Sequence, residues 1–491
     1  MKHRNLYRSF IDGFTNQTAV GQDERFTLLN GPSPGIAGYH HNQVFNRFTS
    51  KDSALREIER KDLELQMNKL TYQDDLTNLP NRRAMNKLVE NAIVNQVECA
   101  VLSIDLDGFK KINDLYGHEK GDLLLGITGR KLQEIVSGFG VVGRLGGDEF
   151  LVFTEKKSTS ELEIFANELL RIFSKPIVIG QNSFSISASV GISQFPIHSS
   201  SANQLLSAAD IAMYRAKKVR GSHFEFYKAK MTEELSRRLL LEQSFSEDLH
   251  QNGFYFVFQP QIDRMTNEMI GFEVLSRLNH PTLGNISPFE FIGIAEETEN
   301  ISKLTHHLMT EVFSKVSSWI NSFGFSKKVS FNVTPFLLSQ KTFFRDLFEL
   351  LDEYGIPYNQ IELEITEETQ LKVNQCTLDN MKVCRERGIQ IAIDDFGTGF
   401  SMLKSLTHFP IDKIKIDKYF IDQLGKDNQT EAVLKSIIFL GQNLNCTVIA
   451  EGVEKLEDVE ALTEMGCNYF QGYYFNRPLE MDDFEQKYIS N

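Results

Sequence analysis

Residues 389–399 read Ile-Gln-Ile-Ala-Ile-Asp-Asp-Phe-Gly-Thr-Gly, and the fold assignment depends on this stretch. An apolar run that ends in acidic residues and glycines is typical of a buried strand whose carboxyl end carries chemistry. The C-terminal half of the chain repeats the pattern, with eight β-like runs in all. The runs are Tyr255–Gln261, Met269–Leu278, Val329–Val333, Ile361–Thr366, Ile389–Asp395, Lys413–Asp417, Thr447–Glu451 and Tyr469–Tyr474.

Each run places a polar residue at or near its carboxyl end. These residues are Gln259, Glu273, Asn332, Glu364, Asp394 with Asp395, Lys415, Glu451 and Gln471. From Asn332 onward they recur at about the length of a strand followed by a helix. Alternating strands and helices predict a (β/α) barrel, in which the carboxyl ends of the strands converge on one face.

The rim of such a barrel is predicted to bind divalent metal ions. Carboxylates from separate strands, together with an asparagine carbonyl, are the oxygen ligands that Mg²⁺ or Mn²⁺ prefers. Two ions about 3.5–4 Å apart would stabilise the attacking and leaving oxygens of a phosphodiester displacement and lower the pKa of a bound water. The alternative is that each acid is an unrelated, solvated strand-end residue. That interpretation suits one glutamate better than an acid or amide on nearly every strand.

Length and composition restrict the class of protein. A chain of 491 residues exceeds what one hydrophobic core usually supports, so two or more domains are expected. The net charge of −14 gives no general attraction for nucleic acid or an anionic membrane, and direct nucleic-acid binding is not expected. Five cysteines without CxxC spacing fit a reducing cytoplasm. No apolar run has the length of a membrane span, so a cytoplasmic protein without a transmembrane segment is predicted.

Changes in composition along the chain predict its domain organisation. The predicted segments are a flexible arm (1–49), a lead-in helix (50–72), a first domain (73–228), a linker helix (229–250) and a second domain (251–491). The lead-in helix is amphipathic and on one interpretation pairs with its copy in a homodimer. On the other it is a solvated helix packed on its own domain.

Short motifs occur in a fixed order along the second domain. They are Phe258-Gln259-Pro260, Glu273-Val274-Leu275-Ser276-Arg277, Asn332-Val333, Glu364-Ile365-Thr366-Glu367, Asp394-Asp395-Phe396-Gly397-Thr398-Gly399, Lys415-Ile416-Asp417, Ala450-Glu451-Gly452-Val453-Glu454 and Gln471-Gly472-Tyr473. Together they resemble the EAL family of cyclic di-GMP phosphodiesterases over the whole second domain. Val274 stands where the signature triplet of the family has alanine, and the acid Glu273 is kept.

The resemblance implies roles for these residues. Two Mg²⁺ or Mn²⁺ ions would be held by Glu273, Asn332, Glu364, Asp394, Asp395 and Glu451. Lys415 would position or activate the attacking water, although a salt bridge is the alternative role of this lysine and of Arg277. Substrate contacts would come from Gln259, Arg277, Asp417 and Gln471. Glu367, Gly397 and Gly399 resemble a regulatory loop that couples dimerisation to activity, and the two glycines could instead serve only as turn residues.

The first domain carries its own acidic pattern. Residues 99–107 form an alternating apolar run that ends in Asp105 and Asp107, and residues 141–154 predict a hairpin that presents Asp148 and Glu149 at its tip. Acids at these places could share a metal bound to a nucleoside triphosphate, while the turn glycines let the backbone approach phosphate. A polar hairpin tip that binds nothing is the alternative.

The surrounding motifs resemble the GGDEF diguanylate cyclase family over residues 72–228. They are Asp74–Arg82, Asp105–Asn113, Gly117–Asp122 and Gly146–Phe150. The resemblance implies a ferredoxin-like nucleotide-cyclase palm, of which two copies meet to join two GTP molecules. Asp105 with Asp148 or Glu149 would hold Mg²⁺ with GTP. The other GTP contacts would be Asn113 and Asp122 for guanine, the turn glycines Gly146 and Gly147, and Lys217 for phosphate.

Two departures weaken the cyclase prediction. Arg220-Gly221-Ser222 replaces the Gly-Arg-Asn of the family, and a shift of one residue at a helix end rotates the arginine side chain away. Ser137 and Gly140 stand where the product-inhibition motif has Arg and Asp.

Three hypotheses about function follow. The first is a phosphodiesterase that hydrolyses cyclic di-GMP to linear pGpG, with a GGDEF domain that binds GTP and regulates it. The second is a bifunctional diguanylate cyclase/phosphodiesterase, and the third is a non-catalytic cyclic di-GMP receptor. The complete acidic rim beside an imperfect cyclase signature favours the first, because a receptor needs neither paired metals nor a water-activating lysine. The input signal and the protein partners are not indicated by the sequence.

Overall fold

The computed structural model describes residues 60, 67, 69–246, 248–366, 375–397 and 411–490. The chain divides into two compact units between Leu235 and Ser236. A helix at Ala229–Gln243 contains this division and lies at the position of the predicted linker helix. Residues 60, 67 and 69–72 of the predicted lead-in helix are helical. The rest of that helix and the predicted arm lie outside the described residues.

The first unit contains a five-stranded sheet in the order β2-β3-β1-β6-β7, and a small separate hairpin, β4-β5. Its strands are β1 (Cys99–Asp107), β2 (Val141–Gly146), β3 (Glu149–Glu155), β4 (Ile177–Ile179), β5 (Asn182–Phe184), β6 (Ser187–Phe195) and β7 (His223–Phe226). Its helices are α1 (Arg82–Val94), α2 (Phe109–Tyr116), α3 (His118–Val136), α4 (Thr159–Leu170) and α5 (Ala202–Lys217), followed by α6 (Ala229–Gln243).

The central strand β1 pairs antiparallel with β3 on one side and with β6 on the other. This order is the predicted ferredoxin-like palm, to which β7 adds a strand parallel to β6. Strand β1 is apolar almost throughout because both of its faces are covered. Leu102 and Ile104 pack in one buried cluster, while Val101 packs in another with Leu88 and Val89 of α1.

The second unit is built from nine strands among the described residues. They are β8 (Phe254–Asp263), β9 (Glu268–His280), β10 (Gly284–Ile286), β11 (Lys328–Asn332), β12 (Ile361–Thr366), β13 (Gln390–Phe396), β14 (Lys413–Ile416), β15 (Thr447–Ala450) and β16 (Tyr469–Phe470). The helices are α7 (Pro288–Glu297), α8 (Ile301–Phe323), α9 (Pro335–Ser339), α10 (Lys341–Tyr354), α11 (Gln375–Glu386), α12 (Lys418–Asp422), α13 (Asn428–Asn443), α14 (Leu456–Glu464) and α15 (Met481–Tyr488).

The strands of this unit close into a barrel. They follow the order β9-β11-β12-β13-β14-β15-β16-β8, and β8 pairs back with β9. The predicted (β/α) barrel is therefore confirmed, with one difference in strand direction. Strand β8 runs antiparallel to β9 and β16, because a short turn joins β8 directly to β9 as a hairpin. Gln259 consequently lies in mid-strand, opposite Glu273, rather than at a carboxyl end.

Side chains alternate between the two faces of each barrel strand. On β12 and β14, Leu363 and Ile414 belong to the apolar cluster of the unit. Their strand neighbours Glu364 and Lys415 are also buried, and they meet inside the barrel. The alternation thus gives the barrel an apolar outer layer and a polar interior at its mouth. Among the described residues, we find no helix with the length and apolar character needed to cross a membrane.

Two glycines of the first unit predict opposite effects of the same substitution. A Cβ on Gly191 of β6 would lie 2.0 Å from the carbonyl oxygen of Ala209 on α5, whereas a Cβ on Gly126 of α3 has 4.0 Å to its nearest neighbour. Gly191→Ala should therefore destabilise the unit by about 1–3 kcal/mol, as overpacking does. Gly126→Ala should stabilise it by about 0.5–1 kcal/mol, since alanine is the better helix former. Hydrogen exchange of β1 and β6, read by mass spectrometry, measures both effects, and equal effects of the two changes would contradict this packing.

Candidate active site

The ammonium of Lys415 lies at the centre of the barrel mouth. Its Nζ is 2.6 Å from Glu364 Oε2, 2.7 Å from Glu451 Oε1, 3.1 Å from Asp394 Oδ1 and 3.3 Å from Glu273 Oε2. Lys415 is fully buried. Side chains from different strands, far apart in sequence, thus converge on one point, as the strand-end pattern predicts.

An irregularity in β13 explains how two adjacent aspartates reach this site. Consecutive residues of a regular strand point to opposite faces. The register between β13 and β14 shifts between Ile393 and Phe396, and Asp395 has a left-handed φ of 54°. Such a bulge redirects side chains next to functional sites. It brings carboxylate oxygens of Asp394, Asp395 and Glu451 within 4.8 Å of one another.

Amide side chains hold Glu273 in place. Asn332 Nδ2 donates to Glu273 Oε1 at 2.5 Å, and Gln471 Nε2 donates to Glu273 Oε2 at 2.6 Å. The same Gln471 nitrogen is 3.3 Å from Gln259 Oε1. The four residues sit on β8, β9, β11 and just after β16, so these bonds connect the closing strands of the barrel around one carboxylate.

The proton affinities of the cluster reflect this crowding. Burial would lower the pKa of Lys415, but the surrounding carboxylates raise it well above its usual value. Burial and the charge of neighbouring acids raise the pKa of Glu364 and of Glu451 well above the ordinary range. For Glu273, the opposite effects of Lys415 and the amide hydrogen bonds outweigh burial and lower the pKa. One ammonium is therefore too little positive charge for the buried acids around it.

The donor set fits divalent metal ions. Oxygens of Glu273, Glu364 and Asp394 also lie within 4.8 Å of one another, which gives a second group that shares Asp394 with the first. Oε1 of Glu364 is buried without a hydrogen-bond partner. A buried carboxylate oxygen with no donor is costly. Two oxygen-rich groups that share one aspartate are an arrangement suited to two neighbouring Mg²⁺ or Mn²⁺ ions.

A cavity opens beside the acidic cluster. It has a volume of about 490 Å³, and Arg277, Asn332, Glu364 and Thr366 form part of its wall. Much of the rest of the wall is apolar and includes Phe289 of α7, which is 92% exposed. Arg277 Nη1 donates to the carbonyl oxygen of Ser276, and no salt bridge of Arg277 occurs within the described residues. The cavity therefore joins an apolar wall to a cationic group and the carboxylates.

Asp417 and Gly397 both have local structural roles. Asp417 caps helix α12 by accepting a hydrogen bond from the amide of Tyr419 at 2.8 Å. Gly397 has a φ of +111°, and a Cβ there would lie 2.2 Å from the ring of Phe420. These contacts agree with the turn role considered for this glycine. Glu367 and Gly399 of the predicted regulatory loop lie outside the described residues.

In the first unit, the predicted phosphate contact and metal ligand meet directly. Lys217 Nζ is 2.6 Å from Asp105 Oδ1, and burial with the nearby charge of Asp105 raises the pKa of Asp148. Gly146 and Gly147 have positive φ values of 143° and 51°, so they form the predicted turn.

The other predicted ligands of this unit lie on strand β3 and on helices α2 and α3. Glu149 pairs with Asp105 across β1 and β3, and its carboxylate contacts Arg82 at 3.0 Å. Asn113 Oδ1 is buried without a hydrogen-bond partner, whereas Asp122 is exposed. A Cβ on Gly121 would lie 2.0 Å from Asn113 Oδ1, so a larger residue there would displace the Asn113 side chain.

The contacts of Arg144 at the hairpin tip were not predicted from the sequence. Arg144 Nη1 contacts both oxygens of Asp74 at 3.1 Å, and its other guanidinium nitrogens donate to the carbonyl oxygen of Gly147 at 2.8 and 3.0 Å. The guanidinium thereby fixes the turn to the segment that enters the domain. Arg144 and Asp74 are 70 residues apart in the sequence, so no local sequence pattern indicates that they pair.

Family models match both units in the predicted order. Residues 71–223 match the model described as "Diguanylate cyclase, GGDEF domain", and residues 242–478 match the model described as "EAL domain". The chain is a tandem GGDEF–EAL protein. The first unit is its GGDEF domain, and the barrel is its EAL domain.

Curated relatives share this domain pair. The chain is 34% identical over 421 residues to the cyclic di-GMP phosphodiesterase PdeR of Escherichia coli (strain K12), covering 85% of this chain and 63% of that protein. It is 32% identical over 414 residues to the bifunctional diguanylate cyclase/cyclic di-GMP phosphodiesterase MucR of Pseudomonas aeruginosa, covering 84% and 60%. The chain thus spans less than two thirds of the length of either relative.

Solved structures agree with the fold. The EAL enzyme Bd1971 in its cAMP-bound form matches 70% of this chain and 91% of its own, with a TM-score of 0.50 and 22% identity. At this identity the likeness concerns the fold.

The pKa of Asp395 predicts a pH dependence of the metal-free EAL domain. Burial and the charges of Asp394 and Asp417 raise this pKa from 3.8 to about 6. The folded state therefore keeps a proton that the unfolded chain releases, and the resulting stabilisation is full below pH 3.8 and lost as the pH rises through about 6. Relative to Asp395→Asn, which does not titrate and tolerates a left-handed φ, the wild-type chain should lose unfolding free energy over this range.

Trp319 makes the measurement specific to the EAL domain, since it is the one tryptophan of the chain and is 1% exposed. Urea unfolding in the presence of a chelator, followed by its fluorescence between pH 4 and 7, gives the two free energies. A difference between the variants that stays constant with pH would contradict the assignment.

Proposed function

We propose that the EAL domain hydrolyses cyclic di-GMP to linear pGpG with Mg²⁺ or Mn²⁺, and that the GGDEF domain binds GTP and regulates this reaction. The observation that carries the proposal is the convergence of Glu273, Glu364, Asp394 and Glu451 on one buried point. The relative PdeR, named a cyclic di-GMP phosphodiesterase, supports the choice of substrate.

The carboxylates, with Asp395 and the carbonyl of Asn332, would hold two ions. Such ions supply the positive charge that stabilises the attacking and leaving oxygens and makes a water acidic at neutral pH. Water adds to one phosphorus, and the bond from that phosphorus to a ribose oxygen breaks. The ring thereby opens to a linear dinucleotide with one terminal phosphate.

Lys415 has the position to orient the attacking water. In the structure its Nζ is held as an ammonium by the same acids that would bind the ions. Neutralising those acids removes the charge that raises the pKa of Lys415, so Nζ becomes able to exchange a proton with the reacting water. Lys415 and the hydrogen bonds from Gln471 and Asn332 lower the pKa of Glu273, which favours the ionised form that a metal ion binds.

The cavity beside the acids suits a guanine nucleotide. Its apolar wall gives a base a surface to pack on, while Arg277 supplies a cation for phosphate or for a base edge. Gln471 donates to Glu273 and lies 3.3 Å from Gln259, and both amides would contact the substrate on the side of Glu273. Substrate held there would present a phosphate to the acidic cluster.

GTP binding by the GGDEF domain rests on the contact between Asp105 and Lys217. An acid for a metal ion and a lysine for phosphate lie together at the end of β1, next to the glycine turn. The displaced Arg220 argues for a regulatory rather than a catalytic role of bound GTP. Bifunctionality is the second candidate, because the relative MucR is named a bifunctional enzyme.

Removal of a metal ligand should abolish hydrolysis. Glu273→Gln or Asp394→Asn keeps the size of the side chain but deletes a charge. Loss of a residue that only supports a metal ligand costs up to about 100-fold in activity, so loss of a ligand itself should lower the turnover of cyclic di-GMP by more than about 100-fold. Glu268→Gln is the matched control, because Glu268 lies on the same strand β9 but is exposed. Chromatographic detection of pGpG gives the rates. Full activity of both ligand variants would overturn the proposal, and metal-dependent binding without cleavage in the wild type would favour a receptor.

The role of the GGDEF domain is separable from hydrolysis. With GTP and the inactive Asp394→Asn chain, no cyclic di-GMP should form over a range of protein concentrations, since GTP is proposed to regulate rather than react. In the wild type, added GTP should change the rate of pGpG formation, and Lys217→Met should remove that change. Cyclic product from the inactive chain would support the bifunctional alternative instead.

A further inference from the structure

A second layer of buried charge lies below the acidic cluster. Lys413 on β14 and Glu362 on β12 are 4% and 0% exposed, and both point into the barrel because each is two residues from a site residue on the same strand. The interior layers of (β/α) barrels are dominated by bulky apolar side chains. A charged pair in this position therefore calls for an explanation.

The residues of the lower layer come from the same strands as the site residues above them. Lys413 Nζ is 2.7 Å from Glu362 Oε1 and 2.9 Å from Gln261 Oε1, and Ser330 Oγ donates to Glu362 Oε1 at 2.7 Å. Each member lies two positions from a residue of the candidate site. The pairs of lower and upper residues are Gln261 with Gln259, Ser330 with Asn332, Glu362 with Glu364, and Lys413 with Lys415.

Two ion pairs therefore link β14 to β12 at successive levels. The upper pair is Lys415–Glu364 at 2.6 Å, and the lower pair is Lys413–Glu362 at 2.7 Å. Strands β12 and β14 are not hydrogen-bonded to each other, because β13 lies between them and carries Asp394. Both pairs thus cross the strand that holds the shared aspartate.

The two pairs differ in what a cation does to them. A cation bound by Glu364 would compete with Lys415 for this carboxylate, so the upper pair would weaken when metal binds. Lys413 contacts Glu362 and Gln261, which lie outside the proposed ligand set. Metal binding would therefore leave the lower ion pair intact.

We propose that Lys413 and Glu362 are positioning residues of the metal centre. Their pair keeps β12 and β14 at the spacing that aims Glu364 and Lys415 at the ions after these two residues no longer bind each other. The inference rests on the proposed function, since it assumes that the acids above bind divalent metal. On this proposal the lower pair aligns the residues of the metal site and is not required for the stability of the barrel.

Alignment and stability are separable by experiment. A buried ion pair costs desolvation, and its replacement by neutral side chains of similar volume is often neutral or stabilising. In Lys413→Met/Glu362→Gln both charges are absent, while the amide oxygen at position 362 still accepts from Ser330. The matched control is Lys435→Met/Glu431→Gln, which removes an exposed pair with the same chemistry, 2.8 Å apart on α13.

Titration of the full chain with Mn²⁺ in a calorimeter tests the inference. The buried double variant should bind Mn²⁺ about 10–100-fold more weakly than wild type, as is typical when a residue that supports a metal ligand is lost. The control variant should bind Mn²⁺ with wild-type affinity. The unfolding midpoint of the buried double variant in chelator, followed by Trp319, should not fall. Wild-type affinity in the buried double variant would overturn the inference, whereas a wild-type chain that binds no Mn²⁺ would overturn the metal centre itself.

A conservative variant covers the case in which the double variant does not fold. Lys413→Arg keeps the charge but changes the distance to Glu362, so a folded Lys413→Arg chain should also bind Mn²⁺ more weakly than wild type. Unchanged Mn²⁺ affinity in that folded chain would contradict the positioning role.

Discussion

The contact of one buried ammonium with four carboxylates is the interaction on which the mouth of the barrel depends. Glu273, Glu364, Asp394 and Glu451 come from different strands, and their mutual repulsion in a buried place would be severe without positive charge. Lys415 supplies part of it, and the raised pKa values of Glu364 and Glu451 show that the compensation is incomplete. The fold therefore gathers more carboxyl groups in a fixed place than one ammonium can neutralise, so they need either protons or further cations. This excess is the physical reason for expecting divalent cations there.

Backbone geometry and side-chain alternation together create that place. Alternation on β12 and β14 puts two layers of polar groups inside the barrel, while the bulge at Asp395 adds a carboxylate that a regular strand would point outward. Gly397 follows with a φ of +111° and lies against the ring of Phe420, where a Cβ would not fit. The candidate site is thus built on strands that pair on both sides. Such elements hold ligands more precisely than loops do.

Much of this arrangement was predictable from the sequence, because acids at strand ends recur with the period of a strand–helix unit. The direction of β8 was not, since it depends on the short turn before β9. Glu362 and Lys413 escaped prediction because polar and apolar residues that alternate on a strand usually indicate a solvated face, whereas here both alternate faces are buried. The pairing of Arg144 with Asp74 joins segments 70 residues apart, and local pattern carries no information about such contacts. The predicted roles of Glu367 and Gly399 remain predictions.

Electron paramagnetic resonance of the chain during Mn²⁺ titration would show whether the acids of the barrel mouth hold a pair of ions, because it reports both the number of bound ions and their separation. Two ions that share Asp394 would be only about 3.5–4 Å apart, so their spins would couple. Two ions are expected in the EAL domain, with the spectrum of an exchange-coupled pair at saturation. A six-line spectrum of isolated Mn²⁺ at saturation, or the absence of saturable binding, would contradict this expectation.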